Sequence, residues 1–457
     1  MALKVLTEGR LRLTRPFNQN FIMGMILFCI PGIYLALTGL GAGGGQPSSI
    51  LYGIYAVVGW CAGSILNYLK PKYTIAIGAI GYPFYVGSLW YYDRGGSEAF
   101  PLFSGALLGV CAALFWTSSG FIQFAYAEEK DKATYITYQW VLSSMGSTVG
   151  ALIAFGVDRD GQTAGGLSAG VYVAFIVIMC FAIGMDFLLI VDPRKVVRAD
   201  GSHIAIFQKP KFWDEVRGVV SVLTDPKIII LMPAMVVGEM CLALVSSVNG
   251  YYFNLRTRSL NNLLYQVIMI PAPIILSYIM DNRHIKSRRV KGLCGTAAVA
   301  LVTLGATGGL LAWIITNDVD RTFPGGFILY ILFGIVYACF QIAVQWTLGS
   351  LTNEPSLCAR YAGAFKGTVS LGMCISFILD SEGISFRNQA IIQMVLYVIG
   401  LLCLTYVIAV YVKETNYFSE ESVIVPESVK TQMEIQAGKS VPPAEIIEPH
   451  HDDQKKN

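Results

Sequence analysis

The sequence predicts an all-α membrane protein that crosses the bilayer twelve times in two halves of six helices. Three observations carry this. Hydrophobic residues make up 54% of the 457-residue chain and charged residues only 14%, where soluble globular proteins carry about 25%. With a mean hydropathy of +0.56, no soluble core could hide that much apolar surface. Apolar runs of the roughly 20 residues needed to span hydrocarbon recur twelve times, at about 18–40, 49–69, 73–92, 100–126, 136–156, 168–191, 227–247, 261–280, 292–316, 325–348, 361–380 and 389–412. One long polar connection, 193–226, divides them six and six.

The chain therefore divides into an N-terminal segment (1–16), a first half (17–192), a central loop (193–226), a second half (227–412) and a tail (413–457). The tail is charged, rich in Pro and Glu and poor in apolar residues, which predicts disorder and leaves it as a place for a protein partner. Twelve spans put both termini on one side. Of the 33 Lys and Arg residues, only Arg94, Arg159, Arg256, Arg258, Arg321 and Arg387 fall on the other side. By the positive-inside rule both termini are expected in the cytoplasm, with the chain in the plasma membrane or an endomembrane. The N-terminus carries no short apolar core with a small-residue cleavage site, so no cleaved signal peptide is expected.

Several function classes drop out. A net charge of +3 is too small to imply nucleic acid, and the expected surroundings are the lipid bilayer. The ten cysteines show no metal-ligand spacing and read as small apolar packing residues. No Gly-rich phosphate loop, zinc spacing or nucleophile elbow occurs, so neither an enzyme nor a cofactor is expected.

What remains is the polar content of the spans. Glu239 is the deepest acid, about 12 residues from one end of span 7 and 8 from the other. A carboxylate there is costly unless protonated, paired or hydrated, and such residues mark ion or proton paths. Lys366 enters span 11 by about 8 Å at ~1.5 Å per residue. Its stem can snorkel back, or it can face a cavity and pair with an acid. Gly363 and Gly367 flank it at small-xxx-small spacing, which favours close packing on another helix. Asp186 lies about five residues from the end of span 6 and reads as interfacial. Glu128 and Glu129 follow span 4 and read as caps of its mouth. Arg360 sits in the gap before span 11. Arg256 and Arg258 could draw anions or latch onto Asp380 or Glu382. Gln123, Gln139, Gln341 and Gln345 can bond across helices or to a ligand. Gly105/Gly109 and Gly146/Gly150 read as helix-packing pairs.

Two six-helix halves joined by a basic loop are the plan of the major facilitator superfamily, whose substrates bind between the halves near the midplane. That superfamily carries a loop resembling G-x-x-x-D-x-x-G-R-[RK] after the second helix of each half. Here the first copy, GSILNYLKPKY, has Asn67 where an acid is expected; the second, DNRHIKSRRVK, has Asp281, Arg283, Arg288 and Arg289. CIPGIYLALTGLGAGGG, GYPFYVGSLWYY, ALFWTSSGFIQFAYAEEKDKATY, NGYYFNLRTRSLNNL and QWTLGSLTNEPSLCARYAGAFKG occur in order at matching helices. Together they resemble the uncoordinated-93-like (ion channel regulatory protein) branch of the superfamily in its fungal form, over about 17–412. Span 7, with MVVGEMCLALVSSV, and Val369, where the family carries glutamine, depart from its pattern. The resemblance implies a secondary transporter moving an unknown small solute or ion by alternating access; Glu239, which has no counterpart in the family, is available for proton coupling by its depth in span 7. Its alternative is a non-transporting regulator of a channel or trafficking partner.

Overall fold

The computed structural model describes residues 12–35, 45–157, 169–207, 210–253, 255–316 and 325–436. Ten of the described helices are long and apolar enough to cross a membrane. They and one further helix account for all twelve expected spans. The first crossing is α1 (Pro16–Leu27), continued to residue 35 through a π-helical turn at Phe28–Gly32. Pro31 inside that turn has no N–H to give the ladder, which accounts for the wider turn. α2 (Gly45–Asp93) is two crossings in one trace. Its limbs meet at Lys70, a non-glycine residue at φ 70°, and Pro71 starts the second limb where a missing N–H costs nothing. The strained Lys70 is held by an ion pair to Asp192, and its carbonyl accepts from Thr74 Oγ1 at 2.9 Å. Burial pulls the Asp192 carboxyl upward, but Lys70 and the Arg194 amide outweigh it and hold it below the usual range.

α3 (Ala99–Ala125), α4 (Lys132–Val157) and α5 (Ala169–Leu189) complete the first half. α4 is the further helix: at 26 residues it is long enough to span. The second half contains α7 (Pro226–Tyr252), α8 (Leu255–Ile268) continued by α9 (Pro271–Met280), α10 (Arg288–Thr316), α11 (Gly325–Leu351), α12 (Pro355–Ser381) and α13 (Phe386–Tyr411).

Two expectations are corrected. The central loop is not all loop: α6 (Phe212–Leu223) is an amphipathic helix within it. Its inner face buries Glu215, Gly218 and Val222, while Phe212, Trp213, Val216 and Val220 are exposed, the arrangement of a helix lying at a membrane surface. The tail is also ordered over 413–436. Asn416 and Tyr417 are buried, Val423 bridges to Ala205, and α14 (Glu427–Gln436) follows. Its order comes from polar contacts that composition does not reveal. Asn416 Nδ2 donates to the Ser350 carbonyl at 2.9 Å, and Glu420 accepts from Thr352 Oγ1 at 2.7 Å and from the Asn353 amide at 2.8 Å. Residues 437–457 and the Gly39–Gly41 pattern lie outside the described residues.

The two halves meet closely along the first limb of α2 and α12. A Cβ on Gly59 would fall 2.6 Å from the Gly367 Cα, and one on Gly363 would fall 2.7 Å from the Gly59 carbonyl oxygen. The glycines flanking Lys366 thus face a glycine of the other half, so backbones touch where side chains would hold them apart. Nearer the opposite end, Tyr52 stacks on Phe377 at 5.7 Å.

Candidate functional site

A central pocket lies where the halves meet. The first half contributes residues of α1 to α4; the second contributes Glu239 from α7, Met269, Tyr337 and Gln345 from α11, and Lys366 from α12. Its wall is aromatic, with Tyr34, Tyr52, Tyr55, Tyr82, Trp116, Trp140 and Tyr337. An aromatic on an apolar helix gives no sign in the sequence of which face meets a cavity.

Lys366 does not snorkel. Only 6% of it is exposed, and its ammonium sits 4.6 Å from the centre of the Trp116 ring and 5.2 Å from that of Phe365. The Trp116 indole is fixed by donating to Tyr82 Oη at 3.0 Å, so its face is presented to the cation. Glu239 lines the same pocket and acts electrostatically on Lys366. Neither belongs to an ion pair among the described residues within 4.0 Å. The Gln341 amide lies close enough to act on Glu239, although its polar atoms meet no full hydrogen-bond geometry.

The other amides divide by role. Gln139 is a structural node. Its oxygen accepts from Ser119 Oγ at 2.6 Å and Gln123 Nε2 at 2.9 Å, and its nitrogen donates to Asn20 Oδ1 at 2.8 Å. This ties α1, α3 and α4 together. Gln123 keeps an unpartnered oxygen, and Gln123 and Gln345 border the pocket.

On the side bearing the central loop, polar contacts join the halves. Arg360 at the start of α12 donates through Nε and Nη2 to Glu215 on α6, at 3.2 and 3.0 Å. Asn67, at the end of the first limb of α2, donates to the same carboxylate at 3.1 Å and to the Ser356 carbonyl at 3.2 Å. The loop helix thus brings a carboxylate to the place where Asn67 lacks one. The pseudo-equivalent contact in the second half keeps its own acid: Asp281 accepts from the Ala133 and Thr134 amides at 3.2 and 2.6 Å and from Thr134 Oγ1 at 2.7 Å. These are free N–H groups at the start of α4. Burial raises the Asp281 carboxyl to about 6; the Thr134 and Ala133 donors oppose the rise and Asp131 adds to it. Glu129 forms a third cross-half contact, accepting from Asn353 Nδ2 at 2.6 Å and the Asn416 amide at 2.7 Å, with Arg288 Nη1 at 3.3 Å. Asn353 and Glu215 carried no clear sequence signal, since polar residues in connections usually face water, whereas Arg288 was marked by the charged loop of the second half.

Asp186 lies three residues from the end of α5 and is fully buried, and neither carboxylate oxygen has a hydrogen-bond partner among the described residues. Packing of α5 against its neighbours covers it, and Lys72 is the charge that acts on it. Arg258 is not latched to an acid. It donates to the Phe253 carbonyl at 2.7 Å and to that of Gly250, capping the end of α7, while Asp380 accepts from Ser247 at 2.8 Å. The Arg256 side chain lies outside the described residues.

Two six-helix halves around a shared central pocket define a multi-pass membrane protein with the major facilitator fold. The fucose:proton symporter FucP of Escherichia coli superposes with a TM-score of 0.61 at 11% identity, over 86% of this chain and 98% of that one. The family model "Ion channel regulatory protein UNC-93" matches residues 42–277. An uncharacterized membrane protein of Schizosaccharomyces pombe is 39% identical over 424 residues, 88% of this chain and 86% of its own. UNC93-like protein 1 of Arabidopsis thaliana is 30% identical over 430 residues, 90% and 93% of the two chains. The chain belongs to the UNC-93 family.

Proposed function

We propose that the chain is a secondary transporter that carries a small organic solute through the central pocket by alternating access. The observation that carries this reading is the pocket itself. It is built from both halves, and it holds at membrane depth a lysine and a glutamate that form no ion pair within 4.0 Å among the described residues. Buried charge is costly to keep and is retained where it serves a pathway. A protein that only escorted a partner would need no such interior.

In this reading Glu239 takes up and releases a proton during the cycle. The groups facing it are Lys366 of α12, Tyr52, Tyr55 and Tyr82 of α2, Tyr337 and Gln341 of α11, and Cys241 of its own helix. The Glu215–Arg360–Asn67 and Asp281–Thr134 contacts are the gate on the termini side, which the basic bias assigns to the cytoplasm. They must break for the pocket to open there.

The test needs no known substrate. The purified full chain is placed in liposomes loaded with a total small-metabolite extract, a proton gradient is imposed, and the released compounds are identified by mass spectrometry. Release of a defined compound by wild type, lost in Glu239→Gln and Lys366→Met, supports the reading. Identical profiles for protein-containing and empty liposomes contradict it and favour the channel-regulator reading of the family description.

A further inference from the structure

Resting on the transport reading, we infer that the solute is an organic monoanion with an aromatic or other planar body, its carboxylate held by the Lys366 ammonium and its body among the rings of Tyr52, Tyr82, Trp116 and Tyr337. The argument starts from what each charge lacks. An ammonium has three N–H donors and no acceptor of its own. That of Lys366 is 94% enclosed yet donates to no acceptor among the described residues, and ring faces are its nearest neighbours. A cation–π contact offsets part of the lost hydration but satisfies no donor. Glu239 is differently placed, with the Gln341 amide and the hydroxyl-bearing rings of Tyr52, Tyr55, Tyr82 and Tyr337 around it. Glu239 thus has donors beside it, whereas the Lys366 ammonium makes no hydrogen bond to any acceptor among the described residues. The missing partner is an anion.

The remaining wall selects the body. Broad ring faces favour stacking against a planar apolar group. Of the nearby amides, Gln139 is occupied by Ser119, Gln123 and Asn20, and Gln123 keeps one unpartnered oxygen. Charge balance then links the anion to Glu239. Among the described residues the pocket is lined by one cation and one carboxylate; once an anion engages Lys366, a carboxylate at Glu239 loses its counter-charge. Anion binding and proton uptake thus favour each other, and by reciprocity the anion binds more tightly as pH falls.

Three probes sharing one ring and chain length separate the possibilities: phenylpropionate (anion), phenylalanine (zwitterion) and phenylethylamine (cation). Binding to the full chain in nanodiscs is read by calorimetry and tryptophan fluorescence. The expected result is that phenylpropionate binds and the other two bind at least about tenfold more weakly, the scale of one charge-assisted hydrogen bond. Lys366→Met should abolish the preference, Lys366→Arg should keep it, and Trp116→Phe should weaken binding while keeping the anion preference. Preference for phenylalanine or phenylethylamine, or binding of none up to millimolar concentration, overturns the anion site. The metabolite-release experiment stands apart from these outcomes: release of a cation or neutral solute would sink the anion assignment and leave transport intact, whereas release of nothing would sink transport itself.

Discussion

Breaking the Glu215–Arg360 contact should loosen the gate on the termini side, and the structure sets the size of the effect. Two charge-assisted bonds of 3.2 and 3.0 Å join the side chains, which are 12% and 18% exposed. Bonds to charged groups contribute about 1.5–3 kcal/mol each when enclosed, whereas exposed pairs contribute about 0.2–1 kcal/mol. For this mostly covered pair, with some solvent screening, about 2 kcal/mol is reasonable, or about thirtyfold in the ratio of open to closed gate. Cys358 reports the opening without any introduced label. It lies two residues from Arg360, is fully buried, and its thiol points to the Thr352 carbonyl at 3.8 Å. Pulsed maleimide labelling, slow relative to opening and closing and read cysteine by cysteine by mass spectrometry, should show Cys358 reacting about thirtyfold faster in Glu215→Ala. Cys111, buried in the first half away from the gate, should be unchanged. An unaltered Cys358 rate would refute the gate; an equal rise at Cys111 would show general loosening instead.

Further outcomes follow from the same contacts. Adding a methyl at Gly367 places it 2.7 Å from the Ala56 carbonyl oxygen and 2.6 Å from the Trp60 ring; Gly367→Ala should destabilise the chain by about 1–3 kcal/mol through overpacking, seen as a lower thermal midpoint. Asp281 titrates at about 6 in the folded chain against an ordinary 3.8, so the folded state holds an extra proton between those values. Stability should fall as pH rises from about 4 to about 6 and level off above, and the difference between wild type and Asp281→Asn in thermal unfolding should isolate that slope. Removing Glu129 leaves Arg288, only 6% exposed, without its carboxylate; Glu129→Ala should cost about 3–5 kcal/mol, while Glu128→Ala, whose partner Lys130 is 59% exposed, should change little.

The sequence made some of this legible and hid the rest for physical reasons. Twelve spans were readable because hydrocarbon thickness imposes a length that composition reports directly. The Gly363/Gly367 pair announced a close helix contact, and it fell on Gly59 of the other half, since only small residues let backbones touch. Glu239 and Lys366 stood out because charge in an apolar run is rare, and the fold brings both to one pocket. Glu215 did not stand out, because a carboxylate in a polar connection looks solvated until a helix turns it inward. The apolar face formed by Phe212, Val216 and Val220 was the available signal for that helix. The order of 413–424 was unreadable for a related reason: it depends on Ser350, Thr352 and Asn353, far away in sequence. The enclosure of Asp186 was unreadable because distance from a helix end says nothing about which face the neighbouring helices cover.

The measurement that tests the central claim most directly compares total metabolites and elemental ions, inside and outside, between cells lacking the gene and cells expressing wild type, Lys366→Ala or Glu239→Gln, with each protein verified in the membrane. A transporter predicts at least one compound whose distribution follows wild type and reverts in both variants. Matching profiles across all four, with every protein in place, would contradict the transport reading.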